Sequence, residues 1–471
     1  MAGISRRVRV FIVILIATSG IAPLILASEA APARAGDPPP IHYDIGLDVQ
    51  ANNVEAITVR ASVQIGDDGI VDFKPPHQPP LEVHAERGQL DTSTADRWRV
   101  TGAPGSDAVL AWRSAKPDNV PGPDWAIWTK VVARPESVFA FAGAFLAIPM
   151  GRDTRQVTAA LSLPPGWQAS SHLGEGPLTV RFLKDTSYLA SRRLDTATRQ
   201  VDANTTLRVG AIGMPHDEVD GAATVLAASL RAMEGSATPQ GAPKHLTLNL
   251  VRYDQGDGFG VSTSGPSAIV LQGGKKMPRW WLFYVVRDFG QSDDAPGDAR
   301  NAWFTQGVGT YRVAAALLAS GDFDAVAFAR HIDQTLDSYG GSPLRRASNA
   351  RIVEEYDRIQ EMHDLPATRG ELFAWLIDGR LRDATGGRKH LTDALQRMDT
   401  RHPDPGAALI AAVAAEGGGD ITALYQRYIV DGDLLQLPPD ALGPCLSIGT
   451  VAYDYGWQVQ HVFARPAGSC R

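Results

Sequence analysis

Trp280-Trp281-Leu282-Phe283-Tyr284-Val285-Val286-Arg287, followed by Trp303-Phe304-Thr305-Gln306-Gly307-Val308-Gly309-Thr310-Tyr311, is the pair of segments on which the reading of this chain turns. As a helix, the first segment sets Phe283 and Arg287 one turn apart on one face, with Tyr284 beside Phe283. Eighteen residues separate Arg287 from Gln306, which sits inside a frame of aromatic residues and glycines. Taken alone, the first segment fits a buried helix or a buried strand with no further meaning, because apolar runs of this length occur in both.

The spacing is that of an H-E-x-x-H metal helix, which places two imidazoles where both reach one zinc ion, with the Glu as general base. The two segments resemble the site of the gluzincin metallopeptidases, which include aminopeptidase N and the glycyl aminopeptidase family. There the third ligand is a Glu on a second helix, in a W-[FL]-x-E-G-[FL] segment. The resemblance puts Phe283 and Arg287 at the two His positions, Tyr284 at the general base and Gln306 at the ligand Glu. Phe has no donor atom, a guanidinium keeps its proton near neutral pH, and a neutral amide is a poor substitute for a carboxylate on zinc. The expectation is therefore a divergent member lacking the zinc site: no metal, no catalytic residue here, and no cofactor, although the family's cofactor is zinc. Arg287 reads in two ways, pairing with Asp288 or another carboxylate where the cation would sit, or holding a peptide C-terminus bidentately.

Further blocks carry the resemblance on both sides. Leu161-Ser162-Leu163-Pro164-Pro165-Gly166-Trp167 is similar to an L-x-L-P-x-G-W strand end in the family's N-terminal β domain. Gly256 to Gly260, leading to Ile269-Val270-Leu271, is similar to the edge strand before the metal helix, with Val261-Ser262-Thr263-Ser264 where the family often has a Glu-His pair. Leu376-Ile377-Asp378-Gly379-Arg380-Leu381-Arg382-Asp383-Ala384-Thr385-Gly386-Gly387, then Leu391-Thr392-Asp393-Ala394-Leu395, resembles the L-D-x-x-[IL]-R-x-x-T-G-G-x-x-S-L-D-D-[VL] block. Leu424 to Gly432 and Leu437 to Gly443 follow in the family's order. The likeness spans roughly residues 42 to 450. It departs in the metal site and in a ligand spacing nearer to aminopeptidase N, and the family's C-terminal PDZ module is expected to be missing. It names Ser262, Thr263, Arg287 and Tyr311 as substrate-cleft candidates.

The implied fold class is multidomain α+β: an N-terminal β-sandwich-like domain over 42–215, a thermolysin-like α/β domain over 216–340 that holds the degenerate motif, and a helical domain with a C-terminal tail over 341–471. Local patterns agree. Ala56 to Val63, Val138 to Phe141 and Val157 to Leu161 read as strands, and His245 to Val251 alternates like one. Ala222 to Met233 and Ala347 to His363 read as helices, and Gly370 to Arg382 as a helix stopped at Thr385-Gly386-Gly387.

Upstream, Arg6, Arg7 and Arg9 precede an apolar run from Val10 to Ala27, and Ala33-Arg34-Ala35 offers a small-x-small cleavage site. Residues 1–35 are thus expected to be a signal peptide and 36–41, with Asp37-Pro38-Pro39-Pro40, a stiff linker. Export to the periplasm or the medium follows, with an uncleaved membrane anchor as the alternative. Of the two cysteines, Cys445 and Cys470, a structural disulfide closing the terminal loop is the economical expectation in an oxidising compartment, and two thiols the alternative.

A net charge of -7 over 471 residues provides no basic excess for phosphates and argues against nucleic acid as a main partner. The eleven His form no H-x-x-x-H pair, and His216-Asp217-Glu218 and His331-Ile332-Asp333 read as a solvated turn and a helix surface. The Gly256 to Gly260 stretch lacks the Lys and Ser/Thr of a phosphate loop, and Gly258 to Gly265 makes no G-x-S-x-G elbow. The favoured reading is an exported, non-catalytic pseudopeptidase that binds a peptide or protein in the former cleft. An active metallo-aminopeptidase with unusual ligands and a structural envelope component are the alternatives.

Overall fold

The computed structural model describes residues 39–117, 129–174, 178–234, 244–253, 259–264, 266–273, 281–289, 299–356, 358–399, 402–452 and 458–465. The N-terminal segment read as signal and residues 36–38 of the linker lie outside them. Among the described residues, no helix is long and apolar enough to cross a membrane.

Strict alternation builds the first sheet. Ile41, Tyr43 and Ile45 are fully buried along Ile41–Gln50, while His42 and Asp44 between them are partly exposed, as a strand with one face on a core requires. Ile41–Gln50 pairs antiparallel with Asn53–Gln64 and parallel with Gln156–Ser162, within a six-stranded sheet. A four-stranded sheet around Ile70–Lys74 and Arg97–Thr101 shares its core, where Trp98 and Trp112 pack edge to face at 5.7 Å.

The strand Ser137–Phe141 is buried at every residue. Its side chains alternate between two cores: Val138 and Ala140 join the N-terminal core, whereas Phe139 and Phe141 pack with Ile212, Val251, Ile269 and Leu271 of the next sheet. A strand covered on both faces shows no polar alternation, which is why this run reads as continuously apolar. A buried polar seam runs between the same layers: Ser187 N donates to Ser267 Oγ at 2.9 Å, and Asn249 Nδ2 to Ser187 Oγ at 2.9 Å.

That next sheet has five strands, in the order Asp195–Gln200, Thr205–Ile212, Lys244–Tyr253, Ser267–Gly273 and Phe259–Ser264. Its middle three are parallel, the crossover from Ile212 to Lys244 carries the helix His216–Glu234, and Phe259–Ser264 runs antiparallel at the edge. Asp195–Gln200 and Thr205–Ile212 therefore pair into the sheet of the second region, although they precede residue 216, where that region is expected to begin. An Ala-rich helix is visible locally, whereas strand membership is decided by long-range pairing.

The helical half shares one continuous core with this sheet, from Leu207, Leu248 and Val270 through Trp281 and Val285 to Leu372, Phe373 and Leu409. The stretch Ala347 to His363, read as one helix, divides into Asn349–Glu355 and the start of Gln360–Thr385. Ser348 caps the first by accepting from Arg351 N, and Ile359 has extended backbone, with φ -128° and ψ 118°. The long helix ends at Gly386 with φ 62°, and Gly387 N reaches Arg382 O at 2.7 Å, the left-handed stop expected from Thr385-Gly386-Gly387. The C-terminal tail contains a hairpin, Leu446–Ala452 with Gln458–Ala464, docked on the helix Ala325–Gly341 where Val462 N donates to Asp333 Oδ1 at 2.6 Å.

Candidate functional site

The segment Phe283 to Arg287 lies within the helix Trp281–Phe289. Trp281, Leu282, Val285, Val286 and Phe289 enter the core, whereas Tyr284 is 40% exposed and Arg287 is half-buried. The two positions one turn apart have separate uses. The Phe283 ring packs 4.6 Å from the His331 imidazole, and Arg287 Nε donates to Asp288 Oδ1 at 2.8 Å while its guanidinium lies 5.5 Å from the Tyr284 ring centre. Arg287 thus takes the carboxylate partner that was the first of its two readings.

Gln306 sits in a π-helical segment, Trp303–Val308, that runs directly into the helix Gly309–Ser320. Close backbone contact fixes its position. A Cβ on Gly370 would come 1.9 Å from Trp303 O, and one on Gly307 would come 2.4 Å from Gly370 Cα, so only glycine allows this crossing. Trp303 is clamped by Phe373 and Tyr425. The Gln306 amide donates through Nε2 to Tyr356 OH at 2.7 Å, and among the described residues no hydrogen bond joins it to the helix Trp281–Phe289. Phe283, Tyr284 and Arg287 therefore share one helix, with Tyr284 against both the Phe283 ring and the Arg287 guanidinium, whereas the Gln306 amide bonds to Tyr356.

Ser262 and Thr263 lie on the edge strand, opposite Ile269 and Ala268. Tyr311 is 1% exposed, its OH donates to Asp378 Oδ1 at 2.9 Å, and its ring packs on Trp375 at 4.5 Å. Cys445 is half-buried, and Cys470, its expected partner, lies outside the described residues.

A buried polar cluster next to Phe283 escaped the sequence reading. His331 Nε2 lies 2.7 Å from Glu371 Oε1, Thr335 Oγ1 donates to Glu371 Oε2 at 2.8 Å, and the side chains of His331 and Glu371 are only 15% and 2% exposed. Burial works against a charged imidazole, but the Glu371 carboxylate outweighs it, so the His331 pKa lies above the ordinary histidine value. His331-Ile332-Asp333 read as helix surface because its partner is 40 residues away. The available signal was the helical stripe Phe328, Ile332, Thr335 and Leu336, whose buried face takes in His331.

The donor set does not suit zinc. Phe283, Arg287 and Gln306 offer it no imidazole and no carboxylate, and among the described residues no group of three or more His, Cys, Asp or Glu side chains is arranged to hold a metal ion.

No family model and no curated protein matches the sequence. Solved structures are. An aminopeptidase N family protein from Idiomarina loihiensis superposes with a TM-score of 0.63 at 14% identity, over 88% of this chain and 79% of its own. The fold is that of the aminopeptidase N family. An M1 zinc metallopeptidase from Deinococcus radiodurans matches with a TM-score of 0.50 at 16% identity, over 85% of this chain and 96% of that one. A variant of the same enzyme, bound to a Tyr-Ser-Ala substrate, gives 0.51 at 16%. Within this M1-type fold, the helix Trp281–Phe289 and the Gln306 segment carry Phe283, Arg287 and Gln306, none of which offers an imidazole or a carboxylate.

Proposed function

We propose that this chain is an exported pseudopeptidase, non-catalytic, that binds a peptide or protein in the cleft where M1 metallopeptidases act. One observation carries the reading: within an M1-type fold the four residues of the metal frame have other partners. Phe283 packs on His331, Tyr284 lies beside the Arg287 guanidinium, Arg287 pairs with Asp288, and Gln306 binds Tyr356. A catalytic zinc needs three protein ligands and a water, and these side chains supply none of the usual donors.

A peptide is the favoured ligand class because the Deinococcus relative was solved with a tripeptide substrate. Phe259–Ser264, with Ser262 and Thr263, is the edge of its sheet among the described residues and supports β-addition of an extended segment. Export rests on the basic and apolar N-terminal segment with its Ala33-Arg34-Ala35 site. The test is the zinc content of the purified protein together with hydrolysis of a panel of aminoacyl p-nitroanilides and short peptides. The expected result is sub-stoichiometric metal and no turnover, and stoichiometric zinc with hydrolysis overturns the proposal.

A further inference from the structure

Among the described residues, a pocket of about 420 Å³ opens between the helices Gly309–Ser320, Gln360–Thr385 and Leu391–Arg397, the end of His216–Glu234 and the segment 442–444. None of Phe283, Tyr284, Arg287 or Gln306 lines it. Its volume falls within the range of small-molecule sites, about 300–1,000 Å³. Ala316, Phe328, Trp375 and Leu395 make much of its wall apolar.

The polar end is organised around one carboxylate. Asp378 accepts from Tyr311 OH at 2.9 Å, Leu391 N at 2.8 Å and Arg382 Nε at 3.0 Å, and the exposed His390 ring lies 3.5 Å away. With its acceptors committed in this way, Asp378 is poorly placed to serve a ligand. Arg382, whose side chain is 15% exposed, gives Nε to Asp378 and Nη2 to Ala441 O, while its Nη1 has no hydrogen-bond partner among the described residues. That Nη1 lies 3.2 Å from the place a Cβ would take on Gly443, so the glycine leaves the donor uncovered. Among the described lining residues Asp378 is the only carboxylate, against two arginines, Arg312 and Arg382, and the pocket therefore carries a cationic excess.

We propose that this pocket binds a small organic anion: a carboxylate on a compact apolar body, with the carboxylate on Arg382 Nη1 and the body on Trp375, Phe328 and Ala316. A fixed, half-buried guanidinium with an unused donor beside aromatic walls matches that chemistry, and the charge-assisted bond it would make is stronger than one between neutral partners. Of the substrate-cleft candidates only Tyr311 lines this pocket, with its OH given to Asp378, so occupancy of the pocket is tested separately from peptide binding at Ser262, Thr263 and Arg287.

The test is calorimetric titration of the purified protein with 4-phenylbutyrate and, separately, with its neutral amide. The acid is expected to saturate with a Kd below about 1 mM and the amide to bind at least about tenfold more weakly. Arg382→Met, which keeps much of the stem and removes the donor, is expected to abolish the preference for the acid. Because Arg382 also holds Asp378, Ala319→Trp provides an independent check: Ala319 lines the pocket mouth and is exposed, so the indole blocks entry without entering the core. Loss of binding in Ala319→Trp at an unchanged melting temperature supports the site. No saturation by the acid at about 10 mM, equal affinity for acid and amide, or wild-type binding by Ala319→Trp overturns it.

Discussion

Replacing Glu371 by methionine should destabilise the protein far more than a change of similar volume in an apolar core. The Glu371 side chain is 2% exposed and faces His331 at 2.7 Å, Thr335 at 2.8 Å and Trp375 at 3.4 Å. Methionine nearly conserves volume, so the cavity contribution is small and the loss is dominated by the unpaired His331. Breaking a buried pair by removing one partner costs about 3–5 kcal/mol. Thr335 is less affected, because its hydroxyl also reaches His331 O at 3.3 Å. The double variant His331→Leu with Glu371→Met should recover most of that loss, since an apolar pair avoids desolvating two charges. Guanidinium denaturation followed by circular dichroism reads both effects as shifts in midpoint at constant slope. A single-variant cost below about 1 kcal/mol, or a double variant no more stable than the single, refutes the reasoning. The pH dependence gives a second check. His331 is raised above its unfolded value, so its contribution is fully present below an unfolded pKa of about 6.5 and is lost as pH rises through the higher folded value. The gap between wild type and Glu371→Met should therefore narrow on the alkaline side.

Gly370→Ala should fail to accumulate as folded protein or should melt far below wild type in differential scanning fluorimetry, because the new methyl meets Trp303 O at 1.9 Å and the atoms around it, Trp303 C and Gly307 Cα, are also backbone. Arg287→Ala should cost no more than about 1 kcal/mol, as its ion pair joins adjacent, partly exposed residues, and a larger loss in denaturant melts would show that Arg287 supports the fold. Gln306→Glu should leave stability within about 1 kcal/mol, because a carboxylate there can accept from Tyr356 OH in place of the bond that the amide donates, and should gain no stoichiometric zinc by metal analysis. Asp378 has its pKa held below the usual carboxylate value: burial opposes this, but His390, Leu391 N, Arg382 and Tyr311 together outweigh it. Its contribution is present above the unfolded value and is lost as pH falls through the folded one, so acid unfolding of Asp378→Asn should be less steep than that of wild type.

Local patterns were read well where one element decides them. The strand Asn53–Gln64, the helix His216–Glu234 and the stop at Gly386 follow from alternation, alanine content and a left-handed glycine, all visible over a few residues. The break at Ile359 is not legible because a helical composition continues across it, nor is the early start of the second sheet, because Thr205–Ile212 is assigned by its partner Lys244–Tyr253.

By itself the sequence determined that Phe283, Arg287 and Gln306 bring no imidazole or carboxylate to positions 283, 287 and 306, since donor chemistry belongs to the residue and needs no fold. Only the tertiary structure decided what those residues do instead. Phe283 meets His331 from another helix, Gln306 meets Tyr356 across 50 residues, and the crossing of Gly307 with Gly370 holds the Gln306 segment against the long helix. The same holds for Arg382, whose unused donor is defined by Ala441 and Gly443, brought beside it by the packing of the chain that follows the long helix. Contacts between distant residues depend on how layers pack, and packing is a property of the whole core rather than of any one segment.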